Sequence, residues 1–272
     1  MALVLKRIHQ GLLILDELQD ERTHGNAFVA SPLCLIGAIA FYVYFFKKLG
    51  PKFMENRKPY NVKNIMIAYN VLQIAFNAYL VLKCALVMAR MKSLLCEDID
   101  YSRTPESMNI VYISKCYMYL KLFDIGDTLF FLLRKSFRQI SFLHLYHHSG
   151  MLTLVWIGFR HYGGGGSGQW IVLLNCAVHV VMFTYYLLTS IDSSWKNSFR
   201  FKRSLTQMQL VQFVCFILIF GNIAVYPTCN VNRFLALVFA CQNVFMLFLF
   251  GEFYYTAYVK PRKIDTHSRK TQ

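Results

Sequence analysis

Residues 170–190 read Trp-Ile-Val-Leu-Leu-Asn-Cys-Ala-Val-His-Val-Val-Met-Phe-Thr-Tyr-Tyr-Leu-Leu-Thr-Ser, a run without a single Asp, Glu, Lys or Arg. A helix needs about 20 such residues to cross the hydrocarbon of a bilayer. A surface helix of a soluble domain would break the run with charge on one face. This stretch is therefore read as a membrane span. Asn175 and His179 stand near its middle, one helical turn apart.

Working outward, six more long apolar runs appear, at 29–46, 65–88, 110–133, 140–159, 206–226 and 234–258, three of them interrupted by charge. Together they predict an all-α integral membrane protein with seven transmembrane helices, occupying residues 29–258. Residues 1–28 are expected to form a lumenal N-terminal segment, and residues 259–272 a basic cytosolic tail. Of the whole chain, 56% is hydrophobic and 16% aromatic, far from the composition of a soluble domain. Lys6 and Arg7 are followed only by the short run 11–15 and then by Asp16, Glu17, Asp20 and Glu21, so no removable signal peptide is read. Ile8, Leu12 and Leu15 can share one side of a surface helix.

The net charge of +15 would suggest a nucleic-acid partner in a soluble protein, but its distribution speaks for a membrane. Lys47, Lys48, Lys52, Arg57, Lys58 and Lys63 fall in loops on the same side as Arg134, Lys135 and Arg138. Lys196, Arg200, Lys202, Arg203, Lys260, Arg262, Lys263, Arg269 and Lys270 share that side. The other side has fewer cations, diluted by acids. The positive-inside rule then places the N-terminus in the lumen and the C-terminus in the cytosol, and no nucleic-acid partner is expected. The eight cysteines show no metal-type spacing. Cys96 and Cys229 fall in lumenal loops, where a disulfide between them is permitted. No Asn-x-Ser/Thr sequon is present. Gly163 to Gly166 read as a flexible turn.

The third run carries Lys115, Lys121, Asp124 and Asp127. Charges facing lipid near the bilayer centre cost about 3 kcal/mol each, so these residues are expected to face inward or lie near the ends. Lys121, Asp124, Asp127 and Thr128 share one broad helical face. In the fourth run, His144, His147 and His148 are spaced to bring three rings within one turn. His179 on the next, antiparallel helix can come level with them. Three chemistries can use such a cluster. One is a metal centre, although four histidines are too few for a di-iron oxygenase. The second is acyl transfer with histidine as nucleophile or base. The third is a proton-coupled transporter or channel, with His, Asp and Lys as relays. The residues alone leave the last two close.

A resemblance separates them. Gly50-Pro51, Met54, Arg57-Lys58-Pro59-Tyr60 and Tyr69-Asn70 are followed by Lys121-x-x-Asp124-x-x-Asp127-Thr128 and the stretch from Phe130 to Lys135. Then come His144-x-x-His147-His148, Asn175-x-x-x-His179-x-x-Met182-x-x-Tyr185-Tyr186 and Thr206-x-x-Gln209-x-x-Gln212-Phe213. In this order they resemble the ELO family of very-long-chain fatty acid elongases, the animal-type 3-ketoacyl-CoA synthases. The family usually carries Glu where Asp124 stands and often Tyr where Phe183 stands. Gln139 is similar to the larger animal subgroup.

The resemblance implies that helices two to seven form a barrel around a narrow acyl-chain tunnel, open to the cytosol and closed toward the lumen. It implies condensation of malonyl-CoA with a long-chain acyl-CoA, giving 3-ketoacyl-CoA, CO2 and CoA. His144, His147, His148 and His179 would be catalytic, with His147 and His179 nearest the thioester carbon. Lys121, Asp124, Asp127, Asn175, Tyr186, Gln209, Gln212, Lys202 and Arg203 would bind substrate. No metal and no cofactor beyond the two CoA substrates is implied. The expected compartment is the endoplasmic reticulum, in keeping with the terminal Arg269-Lys270-Thr271-Gln272. Expected partners are the ketoacyl reductase, hydroxyacyl dehydratase and enoyl reductase of the elongation cycle, and a second copy in a homodimer.

Overall fold

The computed structural model describes residues 18–226, 229 and 232–260, and all its regular elements among these are helical. The expected surface helix of Ile8, Leu12 and Leu15, the terminal dibasic motif, His9 and His267 lie outside the described residues. The α-helices are α1 (Pro32–Tyr44), α2 (Gly50–Met54), α3 (Lys63–Met88), α4 (Pro105–Phe123), α5 (Gly126–Leu133), α6 (Phe142–Tyr162), α7 (Gln169–Ile191), α8 (Phe199–Val225) and α9 (Arg233–Tyr254).

Their starts follow from local chemistry. Ser31 and Thr104 accept hydrogen bonds from the free N–H groups of α1 and α4, each just ahead of a proline at the first helical position. Ser141 accepts from the N–H of His144 at the start of α6, and Asn232 caps α9 in the same way. The turn between α6 and α7 needs its glycines. Gly164 has a φ of +72°, a conformation that L side chains rarely adopt, and a Cβ there would collide with Ser114. This turn is pinned, contrary to the flexible one expected, because Gln169 donates through Nε2 to the Gly164 carbonyl at 2.7 Å.

Helices long and apolar enough to cross a membrane run over Pro32–Met54, Lys63–Met88, Gly166–Ile191, Phe199–Val225 and Arg233–Val259. The chain is an all-helical, multi-pass membrane protein. The third and fourth expected spans are set apart by polar residues: α4 carries Lys115 and Lys121, and α6 carries His144, His147, His148, Arg160 and His161. The burial pattern is inverted relative to a soluble protein. Leu72, Phe76, Leu82, Val211, Leu218 and Phe248 are exposed on the outer faces, whereas Gln73, Asn77, Lys121, Asp124, Asn175 and His179 are buried. The most extensive helix pairings are α3 with α7 and α8 with α9.

The third expected helix is not continuous. It breaks at Asp124–Ile125, where Asp127 N–H and Thr128 N–H bond to carbonyls only three residues back, a tighter turn than the α-helix uses. The Phe123 carbonyl instead accepts from the Tyr69 hydroxyl of α3 at 3.1 Å. Gly126 opens α5 with the Tyr69 ring so near that a Cβ would stand 2.9 Å from it. Lys115 lies near the start of the expected 110–133 span. It is exposed on α4, where its long stem can carry the ammonium toward an interface.

The loops sort to two ends of the bundle. At one end Lys135 donates to the Glu55 carbonyl and Lys63 to that of Ile191. At the other, Asp20 N–H bonds to the Arg160 carbonyl and Ser167 to that of Leu95. Cys96 and Cys229 are joined in a disulfide at this second end, with Cα atoms 5.2 Å apart. They pack into a cluster with Phe220, Ile223, Ala236 and Phe239. The bond closes a loop of 133 residues, so Cys96→Ser is expected to lower stability by about 2–4 kcal/mol. Thermal unfolding in detergent, with and without reductant, checks this. An unchanged melting temperature in both comparisons would mean that the disulfide adds nothing to stability.

Candidate functional site

The buried polar centre is assembled from α3, α4, α6 and α7. Lys121, 4% exposed, donates through Nζ to Asp124 Oδ2 at 2.7 Å and to Asn175 Oδ1 at 2.8 Å. Tyr117 donates its hydroxyl to the same Asn175 oxygen at 2.9 Å. On the far side of the pair, Gln73 donates through Nε2 to Asp124 Oδ1 at 2.8 Å and to the Tyr69 hydroxyl at 2.9 Å. Asn77 in turn donates to Gln73. Both side chains of the pair are thus satisfied, the condition under which a buried ion pair is tolerated. Asn175, implied by the resemblance to bind substrate, accepts from Lys121 and Tyr117.

The histidines stand against this network. His179 Nδ1 is 3.7 Å from Asp124 Oδ2, beyond hydrogen-bond reach. The His144 and His148 rings are 4.4 Å apart, and those of His147 and His148 are 5.7 Å apart. One turn of helix brings the three together because i, i+3 and i, i+4 side chains share a face. His144 Nε2 lies 2.8 Å from Thr128 Oγ1, which lies 3.0 Å from the Tyr42 hydroxyl. His144 is therefore tethered. His147 Nδ1 and His179 Nδ1, by contrast, are buried with no hydrogen-bond partner among the described residues. Buried nitrogens of this kind are uncommon and call for an explanation.

A cavity of about 650 Å³ opens at the basic end, lined among others by Tyr60, Lys63, Asp127, Arg134, Tyr186 and Lys202. Phe131, which also lines it, stands edge-on to the tethered His144, with ring centroids 5.3 Å apart. Lys196 also lines it. Nearby, Asp192 is held below the usual carboxylate range, first by the Ser194 hydroxyl and then by its N–H. Gln209 lies beside Met182, with Nε2 3.9 Å from its sulfur, and Gln212 is buried on the same helix. Arg203 does not join the cavity. Its Nε donates to the Tyr254 hydroxyl at 2.8 Å, because a step of one residue turns a helix by about 100°, and Lys202 takes the inward direction.

A slot of about 10 Å³ borders His147, and a chamber of about 70 Å³ lies toward the disulfide end. Among the described residues, no set of three or more His, Cys, Asp or Glu side chains is arranged to hold a metal ion. Tyr42, Tyr69, Gln73 and Tyr117 were not singled out by spacing, since their roles depend on which helices meet. Only Tyr69 stood within a motif already noted.

A family model described as the GNS1/SUR4 family, ELO, matches residues 27–266. The chain belongs to the ELO family. Among its ELO relatives, very long chain fatty acid elongase 7 of Rattus norvegicus is 37% identical over 248 residues, covering 90% of this chain and 88% of the relative. Very long chain fatty acid elongase 1 of Homo sapiens is 32% identical over 250 residues, with 90% and 88% covered. Very long chain fatty acid elongase 7 of Drosophila melanogaster is 34% identical over 258 residues, with 94% and 78% covered. The ELO match includes every helix described above.

Proposed function

We propose that this protein is the condensing enzyme of fatty acid elongation, joining malonyl-CoA to a long-chain acyl-CoA to give 3-ketoacyl-CoA, CO2 and CoA. Membership of the ELO family and the names of its relatives support elongation. The observation that carries the chemistry is the pair of buried, unpartnered nitrogens on His147 and His179, beside a third ring and a charged but internally neutralised network. An imidazole nitrogen with no partner is available as a nucleophile.

In the proposed sequence, that nitrogen attacks the acyl-CoA thioester carbon, the C–S bond breaks, and CoA leaves as a thiol carrying the imidazole proton. Malonyl-CoA then loses CO2, and the bonding electrons remain as an enolate. The enolate carbon attacks the acyl carbon, the C–N bond breaks, and the departing imidazole nitrogen takes up one proton from solvent, which restores the neutral histidine. The enolate oxygen needs hydrogen-bond donors, which a second histidine of the cluster or Tyr186 supplies. Lys202, Arg134 and Lys63 in the basic cavity are suited by charge to the CoA phosphates. Gln209 and Gln212 carry amides that can pair with pantetheine.

The same reading takes α1 with α2, and α4 with α5, each as one membrane crossing, for seven in all, with crossings two to seven around the acyl passage. It places residues 29–258 in the endoplasmic-reticulum membrane, segment 1–28 in the lumen and tail 259–272 in the cytosol. It gives the enzyme the reductases and dehydratase of the cycle as partners and a second copy in a homodimer.

The test is release of labelled CO2 from malonyl-CoA by purified protein, given a panel of acyl-CoAs. Release that depends on acyl-CoA is expected. Release of free CoA from acyl-CoA alone, before malonyl-CoA is added, is expected if the acyl-histidine forms first. Folded protein that releases no CO2 with any acyl-CoA would overturn the reading.

A further inference from the structure

Tyr42 stands on α1, in the crossing that the proposed function leaves outside the acyl passage. Its ring packs edge-on to Phe46, with centroids 5.2 Å apart. Its hydroxyl lies 3.0 Å from Thr128 Oγ1 of α5, which lies 2.8 Å from His144 Nε2 of α6. Tyr42 and Thr128 are both buried. Neither hydroxyl has another hydrogen-bond partner among the described residues.

Counting protons gives this chain a direction. Each hydroxyl carries one proton and can also accept, and a buried polar hydrogen without an acceptor is costly. If His144 donated through Nε2, Thr128 would pass its own proton to Tyr42, and the Tyr42 proton would be left with no acceptor. In the opposite sense every proton is used. Tyr42 O–H donates to Thr128 Oγ1, and Thr128 O–H donates to His144 Nε2. Each bond in such a chain polarises and strengthens the next. An imidazole that accepts at Nε2 carries its proton on Nδ1 when neutral.

We propose that Tyr42 and Thr128 are positioning residues that hold His144 in the Nδ1–H tautomer, which makes it a hydrogen-bond donor and not a nucleophile. One of its nitrogens is occupied by Thr128 and the other by a proton, so no free lone pair remains to attack a thioester. His147 and His179, whose Nδ1 atoms lack a partner among the described residues, have no such restraint. The four histidines therefore divide their work. The His144 ring stands 4.4 Å from that of His148 and 5.3 Å from that of Phe131 in the wall of the basic cavity, where a donor can serve an oxygen that gains negative charge during condensation. That last use rests on the elongase reading. The direction of the chain does not.

Nuclear magnetic resonance of protein isotope-labelled at its histidine nitrogens reads the tautomer without reference to activity, because protonated and bare ring nitrogens resonate far apart. The His144 signals are those lost in His144→Gln, or in His144→Asn if the first does not fold. At mildly alkaline pH the wild type is expected to show a proton on Nδ1 and a bare Nε2. A proton on Nε2 overturns the inference. The double variant Tyr42→Phe with Thr128→Val removes the chain without stranding either hydroxyl, and Thr128→Ala stands in if it does not fold. There the proton is expected to divide between the two nitrogens, and acyl-CoA-dependent CO2 release to fall by about tenfold or more. Thr128→Ser keeps the central hydroxyl and is expected to restore both tautomer and release. A folded variant without the hydroxyl, judged by its helical circular dichroism, overturns the inference if it keeps the wild-type tautomer, or if it loses the tautomer with release undiminished. The expected tautomer in wild-type protein that releases no CO2 supports the chain and overturns the condensation reading instead.

Discussion

His147→Ala is expected to reduce acyl-CoA-dependent CO2 release by about a thousandfold or more, equivalent to roughly 4 kcal/mol of transition-state stabilisation. Its Nδ1 bonds to nothing among the described residues, so removing the ring strands no buried partner there. The ring otherwise packs against the edges of His148 and Phe250, with centroids 5.7 and 5.9 Å away, and along the wall of the slot. The variant should therefore keep its fold, with a melting temperature only a few degrees below wild type, while losing chemistry. His144→Ala offers the contrast. It leaves Thr128 Oγ1 without the nitrogen 2.8 Å away, so it should cost stability and activity together. If His147→Ala retained a tenth of wild-type release, the nucleophile would have to be sought at His179 alone.

Lys121→Met is the second large effect, and it acts on the fold. Asp124 would keep the Gln73 hydrogen bond but lose its countercharge in a position only 2% exposed. Breaking one half of a buried pair costs about 3–5 kcal/mol, whereas removing both halves costs far less. The double variant Lys121→Met with Asp124→Leu should therefore be more stable than Lys121→Met alone. Melting temperatures of the two singles and the double, compared as a cycle, give the coupling directly. A Lys121→Met protein that melts with the wild type would mean that the pair is solvated and does not organise the centre.

The membrane class, the approximate limits of the spans and the grouping of loops by charge were legible because each depends on residues adjacent in sequence. The 170–190 run gave α7 nearly residue for residue. The clustering of His144, His147 and His148 was legible for the same reason, since helical spacing alone brings their rings together. What escaped is what one helix does to another. The break at Asp124–Ile125 was written over by the periodicity of Lys121, Asp124 and Thr128, although Gly126 marked it. Its cause, the Tyr69 hydroxyl taking the Phe123 carbonyl, lies more than fifty residues away. The same holds for Gln73 on Asp124 and for Asn175, whose side chain serves Lys121 and not a histidine. Spacing placed Lys202 and Arg203 together, and only the rotation of α8 separated them.

The disulfide also has a mechanical consequence. It fastens the loop before α4 to the link between α8 and α9 at one end of the bundle, while the cavity of about 650 Å³ opens at the other, between the starts of α3 and α8 and the ends of α5 and α7. Rods tied at one end open like a clothes peg. The crosslink therefore limits how far those two loops can separate, a tether that the disulfide cannot extend to the basic mouth.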